Sequence, residues 1–181
     1  MERPVLYLLG CAAPPVLDIA RVARDARSEG WEVCVGLTPT ARDWLVGSLG
    51  ELEEVTGWPV RSAPRRPDET ELWPSADVAV VAPATLNTVN TCALGLTPSF
   101  VTAYVAEAIG KRWPLVLMPC VNAAYATHPQ FARSIGTLRG AGVRVLYGPG
   151  GFVPKAPGEG RPEEYPWDVA LKAARSASRC G

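Results

Sequence analysis

The sequence has very little histidine and no excess of either charge. Among its 181 residues it contains a single histidine, His128, and its 18 lysines and arginines balance 18 aspartates and glutamates. One histidine excludes a metal site built from several imidazoles and leaves a histidine general base only one position. A neutral chain lacks the basic excess on which sequence-independent nucleic-acid binding depends. We therefore expect neither a metal site nor a nucleic-acid partner.

Long apolar runs and paired cysteines are also missing. The longest apolar runs, Val78–Ala84 and Leu115–Val121, are far shorter than the roughly 20 residues that cross a bilayer. Residues 1–4 lead directly into a strand-like run, so no signal peptide is recognisable. The five cysteines include no Cys-x-x-Cys pair, which suits a reducing compartment better than a disulfide framework. We expect a cytoplasmic protein with no membrane partner.

Short apolar segments alternate with helical patterns along the chain. Strands are predicted at Val5–Leu9, Trp31–Leu37, Val78–Ala82, Leu115–Met118 and Val143–Tyr147. Helices are predicted at Val16–Arg27 with Gly30 as its cap, from Ala41, from a Ser99 cap to Gly110, at Pro129–Arg139 and at Trp167–Ser178. Such alternation indicates a parallel sheet with right-handed crossovers. The prediction is a single α/β domain over residues 1–181, a Rossmann-like sheet with helices on both faces.

Two segments have neither a helical nor a strand period. Residues 61–70 are polar and rich in proline, which predicts a surface loop. Residues 148–166 are rich in glycine and proline and are long for a loop inside a compact domain. We interpret this second segment as a functional flap and call it the flap.

Four unusual segments, residues 10–13, 38–41, 83–88 and 119–122, follow predicted strands. Ligands of open parallel sheets bind at the carboxyl ends of the strands. The first segment puts a glycine and small residues before a helix, where free N–H groups and the helix dipole can hold a phosphate without a lysine. The sequence therefore predicts a phosphate-bearing cofactor at this edge, with hydroxyl groups supplied by Thr38, Thr40, Thr85 and Thr88.

Two common nucleotide fingerprints are absent from the sequence. No Gly-x-Gly-x-x-Gly follows the first predicted strand, and no Gly-Lys-Ser/Thr of the Walker type occurs. A mononucleotide is therefore preferred over NAD or ATP.

The order of these loop motifs resembles that of a known family. Ala82-Pro83-Ala84-Thr85-Leu86-Asn87-Thr88, and later Pro119-Cys120-Val121-Asn122 with Pro129, are similar to the motifs Pro-Ala-Ser-Ala-Asn-Thr and Pro-x-Met-Asn-x-x-Met-Trp. These motifs belong to the homo-oligomeric, flavin-containing cysteine decarboxylases. That family includes phosphopantothenoylcysteine decarboxylase and the peptidyl-cysteine decarboxylases of lanthipeptide pathways.

The resemblance implies a flavodoxin-like fold and an FMN cofactor held by the first two loops and the first asparagine motif. The implied FMN residues are Gly10, Cys11, Ala12, Thr38, Thr40, Pro83, Ala84, Thr85, Asn87 and Thr88. It also implies a homotrimeric unit in which neighbouring subunits help to enclose the flavin. Members of the family oxidise a cysteine thiol to a thioaldehyde, which then loses its carboxylate to give an enethiol. By this resemblance Asn122 contacts the substrate carboxylate, and the flap clamps a cysteine-containing peptide or small molecule.

The chain departs from the family at the position of the catalytic base. The family's histidine lies upstream of the first motif, where this chain has Glu69, and His128 falls inside the second motif instead. Glu69 or His128 would then have to supply the base. The predicted catalytic residues are accordingly Asn122, His128 and Glu69.

Simpler interpretations of these residues stay open beside the functional ones. His128 precedes Pro129 at a helix start, and its default interpretation is a surface or capping residue. The default interpretation of Glu69 is a solvated charge. Cys11 and Cys120 are more typical of small core residues than of redox groups. Core packing is likewise the simpler role for the aromatic residues Tyr125 and Trp167, which could otherwise stack on a flavin.

Two functions therefore remain open. The first is an FMN-dependent oxidative decarboxylase that acts on a C-terminal cysteine of a peptide. The second is an FMN-binding protein of the same fold without decarboxylase activity, in another redox step or a regulatory role. A decarboxylase of the coenzyme A pathway is disfavoured, because Pro154 lies near the place of the flap cysteine that such an enzyme would use.

Overall fold

The computed structural model describes residues 3–178, whose five strands form one parallel sheet. The strands are β1 (Val5–Gly10), β2 (Glu32–Leu37), β3 (Val78–Ala84), β4 (Leu115–Pro119) and β5 (Arg144–Val145). Their order across the sheet is β2-β1-β3-β4-β5, and every neighbouring pair is parallel. This is the strand order of flavodoxin-like sheets. The predicted α/β class and the flavodoxin-like parallel sheet are confirmed.

Eight α-helices connect and cover the strands of the described chain. They are α1 (Ile19–Ser28), α2 (Pro39–Trp44), α3 (Leu49–Thr56), α4 (Leu86–Ala93), α5 (Phe100–Lys111), α6 (Ala123–Ala126), α7 (Pro129–Gly140) and α8 (Trp167–Ser178). Short 3₁₀ turns lie at Pro14–Asp18, Val46–Ser48 and Pro162–Glu164. None of the helices in residues 3–178 has the length and apolar character needed to span a bilayer.

Alternation along the strands divides the core into two layers. Leu6 and Leu8 of β1 pack into one layer with α1, α3 and α8, whereas Tyr7 and Leu9 pack into the other with α4, α5 and α7. Successive side chains of a strand point to opposite faces, so both faces need apolar residues when helices cover both. β3 is buried at every position, which explains its wholly apolar sequence.

Local capping signals fix several helix ends where the sequence predicts them. The Ser99 hydroxyl accepts from the N–H of Thr102, and the Thr102 hydroxyl accepts from the N–H of Ser99, which completes a capping box before α5. Gly30 follows α1 with φ of +93°, a conformation that favours glycine. The predicted cap at Gly110 is wrong, because α5 continues to Lys111 and Arg112 adopts the left-handed conformation.

Several predicted element boundaries also need correction. A 3₁₀ turn occupies residues 14–18, so α1 begins at Ile19, and α2 begins at Pro39, before the predicted Ala41. β5 is shorter than the predicted strand 143–147, because the chain turns back and Phe152 donates its N–H to the Leu146 carbonyl. The sequence patterns do not predict helices α3, α4 and α6.

The predicted surface loop at residues 61–70 is exposed over most of its length and shields the edge of the sheet. Arg61 donates its N–H to the Val35 carbonyl and accepts from the N–H of Leu37, which occupies the open edge of β2. Its guanidinium lies 4.3 Å from the ring centroid of Phe100 and pairs with Glu71. Covering an edge strand in this way blocks unwanted strand pairing.

Replacing Gly10 with alanine should destabilise the protein by about 1–3 kcal/mol. A Cβ at residue 10 would lie 2.8 Å from Cγ2 of Val16 and 2.9 Å from Cδ1 of Ile19, so the core would have to shift. The matched control is Gly136→Ala in the exposed middle of α7, where a Cβ meets nothing within 4 Å. That change should raise stability by up to about 1 kcal/mol. The midpoints of chemical denaturation measure the stability of both variants. Equal effects of Gly10→Ala and Gly136→Ala would contradict the close packing at Gly10.

Candidate functional site

Backbone hydrogen bonds connect the carboxyl ends of four neighbouring strands, β2, β1, β3 and β4, along one edge of the sheet. Backbone hydrogen bonds run from the N–H of Thr38 to the Gly10 carbonyl (3.0 Å), from Cys11 to Pro83 (3.1 Å) and from Cys120 to Ala84 (2.8 Å). The four segments that the sequence singled out therefore lie side by side, as expected for the ends of parallel strands.

A cavity of about 600 Å³ opens between this edge and the flap. The edge contributes Ala12, Ala13, Thr85, Leu86, Cys120 and Asn122, and the flap contributes Gly151, Phe152, Lys155, Arg161, Glu164 and Tyr165. Most of the lining is small or apolar. A volume of this size with a few polar groups is typical of cofactor and small-molecule sites.

The predicted site residues divide into those that line the cavity and those that lie elsewhere. Ala12, Thr85 and Asn122 line it. The predicted cofactor residues outside the lining are Gly10, Cys11, Thr38, Thr40, Pro83, Ala84, Asn87 and Thr88. Four of them (Gly10, Cys11, Pro83 and Ala84) are buried beneath the edge, where their backbone supports the loops. Thr38 and Thr40 begin α2 beside the edge strand, and Asn87 is exposed in the first turn of α4.

Thr85 begins α4 as its N-cap. Its side chain accepts from the N–H of Thr88 at 3.2 Å and donates to the Thr88 hydroxyl at 3.1 Å. The first N–H groups of a helix have no partner within that helix. At α4 the Thr85 hydroxyl takes the N–H of Thr88, whereas Leu86 lines the cavity with its N–H in the first turn, which gives the site a backbone donor for an anionic group.

Asn122 presents hydrogen-bond donors to the cavity. Its Oδ1 accepts from the N–H of Tyr125 at 2.9 Å and so caps the short helix α6. Because Oδ1 must be the accepting atom and Nδ2 has no hydrogen-bond partner among residues 3–178, the two N–H bonds of Nδ2 are left for a ligand. The next residue, Ala123, donates its N–H to the Lys155 carbonyl at 2.7 Å, which joins this loop to the flap.

The flap is fixed at both ends. At its start Gly148 and Gly150 have φ of +95° and +82°, and a Cβ at Gly151 would lie 2.5 Å from the Leu146 carbonyl carbon, so the turn requires glycine. At its other end the buried Tyr165 donates its hydroxyl to the Met118 carbonyl at 2.8 Å. The flap therefore forms a defined wall of the cavity.

Neither candidate base lines the cavity. His128 caps α7, and its Nδ1 accepts from the N–H of Gln130 at 3.1 Å, so that lone pair is already in use. Glu69 lies in the exposed loop 61–70, where its carboxylate accepts from the N–H of Arg66 at 2.9 Å. The capping interpretation of His128 is confirmed, and the catalytic roles of both residues stay predictions.

The sequence patterns do not indicate which side chains the flap brings to the cavity. Phe152 and Tyr165 pack against each other with ring centroids 5.7 Å apart, and Lys155 and Arg161 add charge. The glycine and proline content marks the segment but not its individual residues. Of the two aromatic residues that could stack on a flavin, Tyr125 is exposed and lines the cavity, whereas Trp167 is buried against Tyr165.

The sequence profile of the Flavoprotein family matches residues 11–165. The chain belongs to the Flavoprotein family. This assignment confirms the family expected from the loop motifs and, with it, a flavin cofactor.

Solved structures that resemble this chain share its fold over nearly the whole length. The FMN-dependent cysteine decarboxylase TvaF from thioviridamide biosynthesis has a TM-score of 0.74 and 21% identity, covering 97% of this chain and 98% of its own. The FMN-dependent cysteine decarboxylase SpaF has a TM-score of 0.73 and 24% identity, covering 98% of both chains. The FMN-binding protein AtHal3 has a TM-score of 0.73 and 17% identity, and the match covers 99% of this chain and 98% of AtHal3. A comparison with curated proteins gave no match.

The two cysteines at this edge are thiols at neutral pH. Burial raises the pKa of both Cys11 and Cys120 to about 11. Thiols react through their thiolate, and a higher pKa lowers the thiolate fraction. This chemistry favours the packing role for both residues.

Cys11 and Cys120 should react slowly with a thiol reagent in the folded protein. At pH 8 we expect Cys11 and Cys120 to react about a hundredfold more slowly than in urea, because their pKa of about 11 leaves little thiolate. The rate should increase as pH rises from 7 to 9. Cys180 lies outside the described residues, so the measurement uses Cys180→Ser. A thiol that reacts at its denatured rate at pH 8 would contradict the assignment.

Proposed function

We propose that this protein binds FMN in the cavity and oxidatively decarboxylates a C-terminal cysteine of a peptide or small molecule. One observation carries the proposal: the Nδ2 group of Asn122, which has no partner among residues 3–178, lies at the cavity between the strand ends and the flap. The chain that forms this cavity belongs to the Flavoprotein family. FMN is preferred among flavins because the similar structures of TvaF and SpaF are those of FMN-dependent cysteine decarboxylases.

The chemistry of the cavity fits a flavin. Small and apolar side chains such as Ala12, Ala13 and Val121 leave room for a flat ring system. The N–H groups at the start of α4 suit the phosphate. By the family resemblance, the loops at Gly10–Ala13, Thr38–Ala41 and Pro83–Thr88 hold the cofactor. Bound flavin supplies a two-electron acceptor for the oxidation of the substrate.

Asn122 and the flap orient the substrate. The Nδ2 donors of Asn122 suit one carboxylate oxygen of a terminal cysteine, which would hold the thiol end of the substrate at a fixed place. Phe152 and Tyr165 of the flap line the cavity, so a substrate bound against them loses part of its contact with water. The hydrogen bond from the N–H of Ala123 to the Lys155 carbonyl links the Asn122 loop to the flap.

Glu69 and His128 are the two candidates for the base of this reaction. Within one chain Glu69 lies outside the cavity, so it can act only in the cavity of a neighbouring subunit, as in the homotrimer implied by the family resemblance. Its carboxylate needs a pKa raised by burial there in order to accept the thiol proton. His128 remains the other candidate, although its Nδ1 is already hydrogen bonded.

The alternative is an FMN-binding protein without decarboxylase activity. Among the described residues the only carboxylate that lines the cavity is Glu164. Its hydrogen bond to Lys155 keeps the pKa of Glu164 low, which makes it a poor base. A cavity without its own base is the observation that favours this alternative. For either function, the cytoplasm remains the location predicted from the cysteines.

Peptides that end in cysteine decide between these functions. The FMN-loaded protein should convert them with loss of carbon dioxide and two hydrogens, measured by mass spectrometry. Peptides that end in serine or in a cysteine amide serve as controls and should not react. If a protein that holds FMN causes no mass change in any peptide of a panel that ends in cysteine, decarboxylation is excluded and FMN binding without decarboxylase activity is left.

Substitutions at Asn122 test the role of its Nδ2. Asn122→Asp and Asn122→Ser both keep a good N-cap for α6, so FMN content and folding should persist. Both lose the amide donors, so kcat/KM should fall by about a hundredfold or more. Asn122→Asp also places a negative charge beside the substrate carboxylate and should be the slower of the two. Unchanged kinetics in both variants would remove Asn122 from the mechanism.

A further inference from the structure

The cavity has an excess of one positive charge. Its lining includes three charged side chains, Lys155, Arg161 and Glu164, all from the flap. Lys155 and Glu164 neutralise each other in an ion pair. Arg161 is exposed and forms neither an ion pair nor a side-chain hydrogen bond with any other residue between positions 3 and 178. Its charge acts on Glu164 only at longer range, where it adds to the effect of Lys155 in keeping the pKa of Glu164 low. The cavity therefore contains a guanidinium whose donors are available to a ligand.

The backbone of the flap holds Arg161 at a fixed point. Arg161 is the N-cap of the 3₁₀ turn at Pro162–Glu164, and its carbonyl accepts from the N–H of Glu164 at 3.1 Å. Tyr165 then anchors the end of this turn to β4. Gly158 and Gly160 line the cavity just before Arg161 and carry no side chains, which leaves space for the guanidinium.

The chemistry of this side chain points to an oxyanion. A guanidinium offers five N–H donors in a planar fork that matches the two oxygens of a carboxylate or phosphate. The other cation of the flap, Lys155, is already paired with Glu164, whereas Arg161 is not paired. Asn122 adds uncharged donors to the same cavity.

We propose that Arg161 is a further oxyanion-binding residue of this cavity, which acts together with Asn122 or with the N–H groups at the start of α4. It discriminates in favour of ligands that carry a carboxylate or a phosphate, and a neutral analogue of the same shape binds more weakly. The inference rests on the proposed function, which supplies one ligand of each kind: the FMN phosphate and the substrate carboxylate.

Two binding measurements distinguish the sources of the oxyanion without relying on turnover. The first compares the affinity of the apoprotein for FMN and riboflavin by flavin fluorescence. The second compares the affinity of the FMN-loaded protein for a peptide acid and the matching peptide amide by calorimetry, with serine in place of the terminal cysteine. The variants are Arg161→Gln and Arg161→Lys. Arg133→Gln, an exposed position in α7 outside the cavity lining, is the control for the loss of one positive charge.

Arg161→Gln should weaken binding of the anionic ligand about tenfold in one of the two comparisons and leave its neutral partner unchanged. A loss in the FMN comparison assigns the phosphate, and a loss in the peptide comparison assigns the carboxylate. Arg161→Lys should lie between the wild type and Arg161→Gln, since it keeps the charge without the fork. Arg133→Gln should behave as the wild type.

Unchanged affinities of Arg161→Gln for all four ligands would overturn the inference while leaving the proposed function intact. Equal losses in Arg161→Gln and Arg133→Gln would also overturn it, because the effect would then come from net charge. A wild-type protein that binds neither FMN nor the peptides would overturn both the inference and the proposed function. Circular dichroism of each variant verifies that the fold is retained.

Discussion

The end of β3 holds the neighbouring strand ends in place through its backbone. Pro83 accepts a hydrogen bond from Cys11 at 3.1 Å, and Ala84 accepts one from Cys120 at 2.8 Å. β3 is buried on both faces, so these carbonyls have no water as an alternative partner, and leaving them unpaired would be costly. The loops that follow β1 and β4 must therefore converge on β3. The cavity, the Asn122 cap and the attachment of the flap all depend on this convergence.

Much of the fold is predictable because its causes are local. Apolar runs such as β3 indicate central strands, and Ser99 and Gly30 mark helix ends through side-chain capping and a positive φ. α4 escapes prediction because Leu86–Ala93 contains asparagine, threonine, valine and cysteine, which are weak helix formers. Its stability comes from the Thr85 cap and from packing on α7, where Asn90 accepts a hydrogen bond from Ser134.

The site is predictable only in part, because its walls come from distant parts of the chain. Motif spacing led to Thr85 and Asn122, which both line the cavity. No local pattern indicates that Tyr165 reaches the Met118 carbonyl, since that contact depends on the path of the flap over the sheet. Gly10 illustrates the opposite case: the sequence suggests a ligand contact, whereas a Cβ there would collide with Val16. Close packing and close ligand approach both require glycine, and sequence alone does not separate them.

We propose that the flavin lies between the ends of β1, β3 and β4 and the flap. A crystal structure of the protein loaded with FMN tests this placement most directly. We expect electron density for the flavin ring in the cavity lined by Ala12, Thr85 and Tyr165, with Asn122 beside it. Density for FMN at any other surface, with this cavity filled only by solvent, would contradict the account.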